Sequence, residues 1–250
     1  MGYVIAMAGK GGTGKTTMAA LIVRIIKEKK IGSVLAIDAD PNSNLAEALG
    51  LKVKQTVGKI LDGISQFPDK VPVSMSKDRF IEYSVQTAIE EGDGFDVISM
   101  GRPEGPGCYC YVNNVLRNLM SKFIKDYDYV VIDNEAGLEH LSRRTTRYAD
   151  AMVVVSPPAA AGLKAAKRIN ELTAELDIKI KKKLLLINCY DRDLEKEKIS
   201  SLGLDYLGFI PQDSQIEKVS LNGGSLMGLD TDAPSLSALR KIGDIVWQRN

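Results

Sequence analysis

Short apolar runs alternate with stretches of helical periodicity along most of the chain. Residues 3–8 form a continuous apolar run of strand length, and residues 15–30 follow a helical pattern. Further strand-length runs fall at 34–37, 95–100, 129–132, 151–155, 183–188 and 204–210. Helical patterns fall at about 78–91, 111–125, 138–147, 160–176, 193–202, 213–221 and 234–248. β-rich runs separated by helices imply parallel strands joined by helical crossovers. The expectation is therefore one α/β domain over residues 1–250, a mostly parallel sheet flanked by helices on both faces. Sheets of this kind bind ligands at the carboxyl ends of their strands.

Charge narrows the set of partners. With 33 Lys and Arg against 32 Asp and Glu, the formal charge is +1, which gives no strong field for nucleic acid or for anionic lipid. The basic runs 27–30 and 179–183 read as solvated helix ends or loops. No basic stretch followed by a long apolar one opens the chain, and no apolar run reaches the roughly 18 residues of a membrane span. The expectation is a cytoplasmic protein with neither membrane nor nucleic acid as partner. Its three cysteines are too few for a disulfide framework.

The first strand runs directly into Gly9-Lys10-Gly11-Gly12-Thr13-Gly14-Lys15-Thr16, a full match to the phosphate-loop pattern with a helix following. Glycines let backbone N–H groups converge on phosphate oxygens, and the helix N-terminus adds its positive end. Gly9, Gly11, Gly12, Thr13, Gly14, Lys15, Thr16 and Thr17 are thus expected around the phosphates of ATP. Lys15 reaches the β- and γ-phosphates, and the Thr16 hydroxyl ligates Mg²⁺. The fold expected is that of a P-loop nucleoside triphosphatase.

Two acid clusters follow later strands. Asp38-Ala39-Asp40-Pro41-Asn42-Ser43-Asn44 follows the second strand, and Asp133-Asn134-Glu135-Ala136-Gly137 follows the run 129–132. Carboxylates beside a triphosphate can hold the metal's waters or orient the attacking water. Asn188-Cys189-Tyr190-Asp191 ends another strand, where an asparagine can read the exocyclic group of a purine. Its Asn–Asp spacing is that of the guanine motif with Cys189 in place of the lysine, so GTP is a minority alternative to ATP. Cys189 reads as a small packing residue. His140, the single histidine, reads as structural.

Lys10 is not required by the general motif. With it, the chain resembles the deviant Walker A ATPases, the family of MinD, ParA and the nitrogenase iron protein, whose pattern Lys10 to Thr16 fits. The resemblance implies that Lys10 crosses a dimer interface to the partner's nucleotide, and that the active form is an ATP-sandwiched homodimer. It makes Asp40 the residue that orients the hydrolytic water and places Asp38 in the outer shell of the metal. It also has Asp133 contact Mg²⁺ through water, while Gly137 approaches the γ-phosphate. The loop Ile210-Pro211-Gln212-Asp213 is similar to the one that lies against adenine in this family, which implies Pro211 and Asp213 as base contacts.

A Gly- and Pro-rich segment, 101–107, ends in Cys108-Tyr109-Cys110. In an extended segment, residues i and i+2 point to one side, so two thiolates can share a soft ion. One chain supplies two ligands, and two chains about a two-fold axis supply the four of a tetrahedral site. Between the two acid clusters, this pair makes the chain similar to the CooC/AcsF-type accessory ATPases. These serve nickel maturation of carbon monoxide dehydrogenase and acetyl-CoA synthase. The resemblance implies Ni²⁺ or Zn²⁺ at Cys108 and Cys110, shared across the dimer, and a client nickel enzyme of that type. Two alternatives stand beside it. A MinD- or ParA-type positioning ATPase needs a membrane-seeking C-terminal helix or a basic DNA-binding face. Residues 235–250 instead read as a helix packed on the core. An iron–sulfur carrier could also use four cysteines of a dimer.

Overall fold

The computed structural model describes residues 2–40, 44–66, 71–101, 110–135 and 148–248. Among these residues the sheet has eight strands: β1 (Tyr3–Ala8), β2 (Val34–Asp38), β3 (Glu90–Glu91), β4 (Asp96–Ser99), β5 (Tyr129–Asp133), β6 (Tyr148–Ser156), β7 (Lys179–Asn188) and β8 (Asp205–Ile210). Their order across the sheet is β3-β4-β2-β5-β1-β6-β7-β8. Every pairing is parallel except that of β3 with β4.

β1 lies in the middle of this sheet, and all six of its residues are buried. Its side chains alternate between two cores, as the two-residue period of a strand requires. Tyr3, Ile5 and Met7 join Leu21, Ile22 and Ile25 of helix α1 (Lys15–Lys29) on one face. Val4, Ala6 and Ala8 join the other face, which is covered by α3 (Val57–Gln66), α4 (Lys77–Gln86), α5 (Cys110–Asp126) and α6 (Ala160–Glu175). α1 shares its face with α2 (Asn44–Ala48), α9 (Pro234–Ile242) and α10 (Asp244–Trp247). Leu236, Leu239 and Trp247 are buried there, so the last long helical pattern is core packing, broken at Gly243. The remaining short helices are α7 (Lys196–Ser200) and α8 (Ser214–Asn222).

Three local readings change. The pattern at 78–91 stops at Gln86, because the Gly92-Asp93-Gly94 turn folds Glu90 and Glu91 back along β4 as an antiparallel edge. α3 escapes a reading by length: Val57, Ile60, Leu61 and Ile64 are a helical stripe only ten residues long. The basic run 179–183 is the first half of β7, not a solvated loop. There Lys181 pairs with Asp150 at 3.0 Å, and Lys183 donates to Asn170 and Thr173 at 3.0 and 2.7 Å. The lysine stems cover the strand while their amines find acceptors. The pattern at 138–147 lies outside the described residues. No helix among the described residues is long and apolar enough to cross a membrane.

Candidate nucleotide-binding and hydrolysis site

β1 ends at Ala8 and α1 begins at Lys15, so residues 9–14 turn at the carboxyl edge of the sheet. Gly14 has φ 93°, and a Cβ there would lie 2.3 Å from Asn188 Nδ2. Conformation and close approach both require glycine. Within the loop, Thr13 Oγ1 and Lys15 Nζ donate to the Lys10 carbonyl at 2.9 and 3.2 Å. Lys10, Gly11 and Gly12 are exposed, while Lys15 is buried at the root of α1. That helix has no side-chain cap and no acid in its first turn. Its leading N–H groups, on Lys15, Thr16 and Thr17, keep the positive end of the helix for an anion.

Parallel register sets the acids in a row. Asp133 of β5 is paired with Met7 of β1 and with Asp38 of β2, and Asp38 with Ser99 of β4. Asp133 Oδ2 accepts the Thr16 hydroxyl at 2.6 Å, whereas its Oδ1 is buried with no hydrogen-bond partner. Asp38 is fully buried and accepts the backbone N–H groups of Leu45 at 2.8 Å and of Asp40 at 3.2 Å. Asp38 thus receives an N–H at the start of α2. Burial, with Asp133 close by, pushes Asp38 up to about 7. Burial raises Asp133 to about 6 against the opposing pull of the Thr16 hydroxyl and of Lys15. An orphaned carboxylate oxygen, a second buried carboxylate and a hydroxyl form a hard oxygen donor set. It fits Mg²⁺, which takes one or two carboxylates and fills its remaining positions with phosphate and water. Among the described residues no three His, Cys, Asp or Glu side chains form a metal cage.

Asp40 lies half-buried just beyond β2, on the same edge. Asn188 ends β7 in register with Ile210, which brings Pro211 beside it. Asn188 Nδ2 donates to the Thr13 carbonyl at 2.9 Å. The structure thus gathers the phosphate loop, Asp38, Asp40, Asp133, Asn188 and Pro211 along one edge. Asp213 turns inward instead. Its Oδ2 accepts Ser235 N and Oγ at 3.0 and 2.6 Å, and its Oδ1 accepts Gln215 N at 3.0 Å. It caps α8 and ties that helix to α9. Cys189 is exposed at φ 55°, not packed. Gly137, His140 and Cys108 lie outside the described residues, as does the side chain of Cys110, whose backbone opens α5.

Two polar residues at this edge escaped the sequence reading. Asn134 is buried, donates from Nδ2 to the Met7 carbonyl at 2.8 Å, and leaves its Oδ1 without a partner. The Ser99 hydroxyl is buried and unpartnered beside Asp38. The available signal for Ser99 was a lone polar residue closing an apolar strand, and for Asn134 its place directly after the acid that ends β5.

A profile of the CobQ/CobB/MinD/ParA nucleotide-binding domain matches residues 4–226. The chain belongs to this family. An uncharacterized ATP-binding protein of Methanocaldococcus jannaschii is 41% identical over 231 residues, covering 90% of this chain and 91% of the relative. The carbon monoxide dehydrogenase accessory protein CooC of Rhodospirillum rubrum is 30% identical over 241 residues, covering 90% and 89%. The septum site-determining protein MinD of Pyrococcus horikoshii, solved with Mg-ADP, shares the fold with a TM-score of 0.72 at 21% identity, covering 99% and 97%. Family membership and the ATP-binding relatives make the chain a P-loop ATPase.

The raised carboxylates carry a pH signature. Between about pH 4 and 7 the folded chain holds protons on Asp38 and Asp133 that the unfolded chain has released. Their contribution is complete below the unfolded value and is lost as pH rises through the folded ones. The depressed carboxylates, Asp150 and Asp213 among them, act below that window. In urea titrations without Mg²⁺ or nucleotide, stability is expected to fall from pH 5 to pH 8, and less steeply in Asp38→Asn. An unchanged slope in the variant contradicts the assignment.

Proposed function

We propose that the whole chain works as one cytoplasmic ATPase unit that dimerises around ATP and handles nickel for a client enzyme of the carbon monoxide dehydrogenase/acetyl-CoA synthase type. In this reading Lys15 and the loop N–H groups hold the phosphates, with Thr16, Asp38 and Asp133 around Mg²⁺. The ion neutralises charge on the β- and γ-phosphates. Asp40 orients the attacking water, Gly137 approaches the γ-phosphate, and Lys10 reaches the nucleotide of the partner chain. Asn188 and Pro211 flank the adenine. Cys108 and Cys110 from each of two chains hold one Ni²⁺ or Zn²⁺ as cargo.

One observation carries the link between nucleotide and cargo. The Met100 N–H donates to the carbonyl of Asp38 at 2.8 Å, and the Met100 carbonyl accepts Gly58 N at 2.8 Å. Gly101 follows at φ 60°, where a Cβ would lie 2.5 Å from Thr56 Oγ1. The cysteine segment therefore leaves the sheet from a residue bonded directly to Asp38. A shift at the end of β2 reaches the root of that segment through backbone alone. The 30% identity to CooC over nine-tenths of the chain supports the same reading. The positioning alternative draws on the MinD fold. It lacks a matching lipid-seeking face in α9, whose Leu236 and Leu239 are spent on the core.

Asp40→Asn is expected to bind Mg-ATP about as tightly as wild type and to lose at least about a hundredfold in turnover, the scale of a general-base contribution. Unchanged hydrolysis removes Asp40 from its role. Cargo is tested by metal analysis of purified protein and native mass spectrometry. One divalent ion per two chains is expected, with none after the Cys108→Ser and Cys110→Ser double replacement. One ion per chain, or binding untouched by the double replacement, removes the shared site.

A further inference from the structure

Asn188 is the last residue of β7, and its side chain crosses to the phosphate loop. The acceptor is the Thr13 carbonyl, 2.9 Å from Nδ2 and 175 positions away in sequence. A backbone carbonyl can only accept, so this contact fixes which end of the amide faces the loop. Directly beyond it, Gly14 approaches so closely that a Cβ would lie 2.3 Å from the same nitrogen. Thr13 and Lys15 otherwise bond back to Lys10, inside the loop itself. The bond from Asn188 therefore ties the loop to a strand outside it. It reaches the loop one residue ahead of the left-handed turn at Gly14 that starts α1.

The chemistry of the loop makes such a tie consequential. Phosphate recognition here depends on backbone N–H groups held in one concave arrangement, in a segment rich in glycine. Glycine carries the largest backbone entropy to lose, so an untied loop surrenders binding free energy on ordering. A loop held beforehand does not. The Asn188 amide has two hydrogens and an acceptor oxygen, and the bond to Thr13 uses one hydrogen. Holding the loop therefore does not consume the groups that a base would meet.

We propose that Asn188 is a positioning residue for the phosphate loop, acting through the Thr13 carbonyl independently of any contact with a base. The discriminating probe is magnesium tripolyphosphate, which carries the phosphates without sugar or base. Its affinity for the full chain is measured by calorimetry in wild type, Asn188→Ala and Asn188→Leu. The leucine roughly preserves size, removes the donor and adds no charge, so it keeps the test alive if the alanine variant fails to fold. Circular dichroism and the ligand-free thermal midpoint report the fold of each. The expected result is a loss of about tenfold in tripolyphosphate affinity in each folded variant, the scale of one neutral hydrogen bond. ATP affinity falls by at least as much. If a folded variant binds tripolyphosphate as wild type does and loses affinity for ATP alone, Asn188 reads the base only, and the proposal is overturned. A lower thermal midpoint with unchanged tripolyphosphate affinity overturns it as well.

Discussion

Two carboxylates, Asp38 and Asp133, stand side by side at the carboxyl edge of a parallel sheet, both buried. Water cannot solvate them, and their mutual repulsion is weakly screened. They are held there by register, since β2 and β5 must pair in order to bury their apolar residues. Only a positive charge arriving at this edge relieves the pair fully. The Thr16 hydroxyl and the buried Lys15 do so in part. In the proposed function a magnesium ion brought by a triphosphate would complete the compensation and remove the electrostatic cost held at this edge.

The backbone carries this edge outward on both sides. Ala39 N donates to the Asp133 carbonyl at 2.9 Å, Met100 N to that of Asp38, and Gly58 N to that of Met100. Four segments thus meet in one chain of bonds: the exits of β5, β2 and β4, and the start of α3. On the other side Asn188 fastens the loop to β7. The site is assembled from strand ends whose relative positions are fixed by the two cores beneath them.

The parts that were legible in sequence are those with a strict local requirement. The strand, loop and helix from Tyr3 to Lys29 must carry glycines and Lys15 at set spacing, and β5 must end in an acid after apolar residues. Seven of the eight strands follow from apolar runs bounded by helices, and β3 does not. At two residues its position is decided by the turn at Gly92 and Gly94 and by the Glu90 carboxylate, which accepts Lys54 N at 2.9 Å from a distant segment. The partners of Asp213 were not legible in its loop. Its carboxylate was decided by Ser235, twenty-two positions onward, which no local pattern reveals. Asn134 and Ser99 were hidden for a related reason. A polar residue at or just past the end of an apolar run has no period, and its importance comes only from the neighbours that sheet order supplies.

The central claim is that the paired acids form the protein half of a cation site that nucleotide completes. Its most direct test compares the thermal stabilisation given by ATP with Mg²⁺ and by ATP with a chelator, in wild type and in Asp133→Asn. The account predicts that Mg²⁺ adds markedly to the stabilisation of wild type and adds little to that of the variant, because the orphaned oxygen on Asp133 is the group the ion satisfies. Equal stabilisation of wild type by ATP with and without Mg²⁺ would contradict it, as would an identical Mg²⁺ increment in the two proteins.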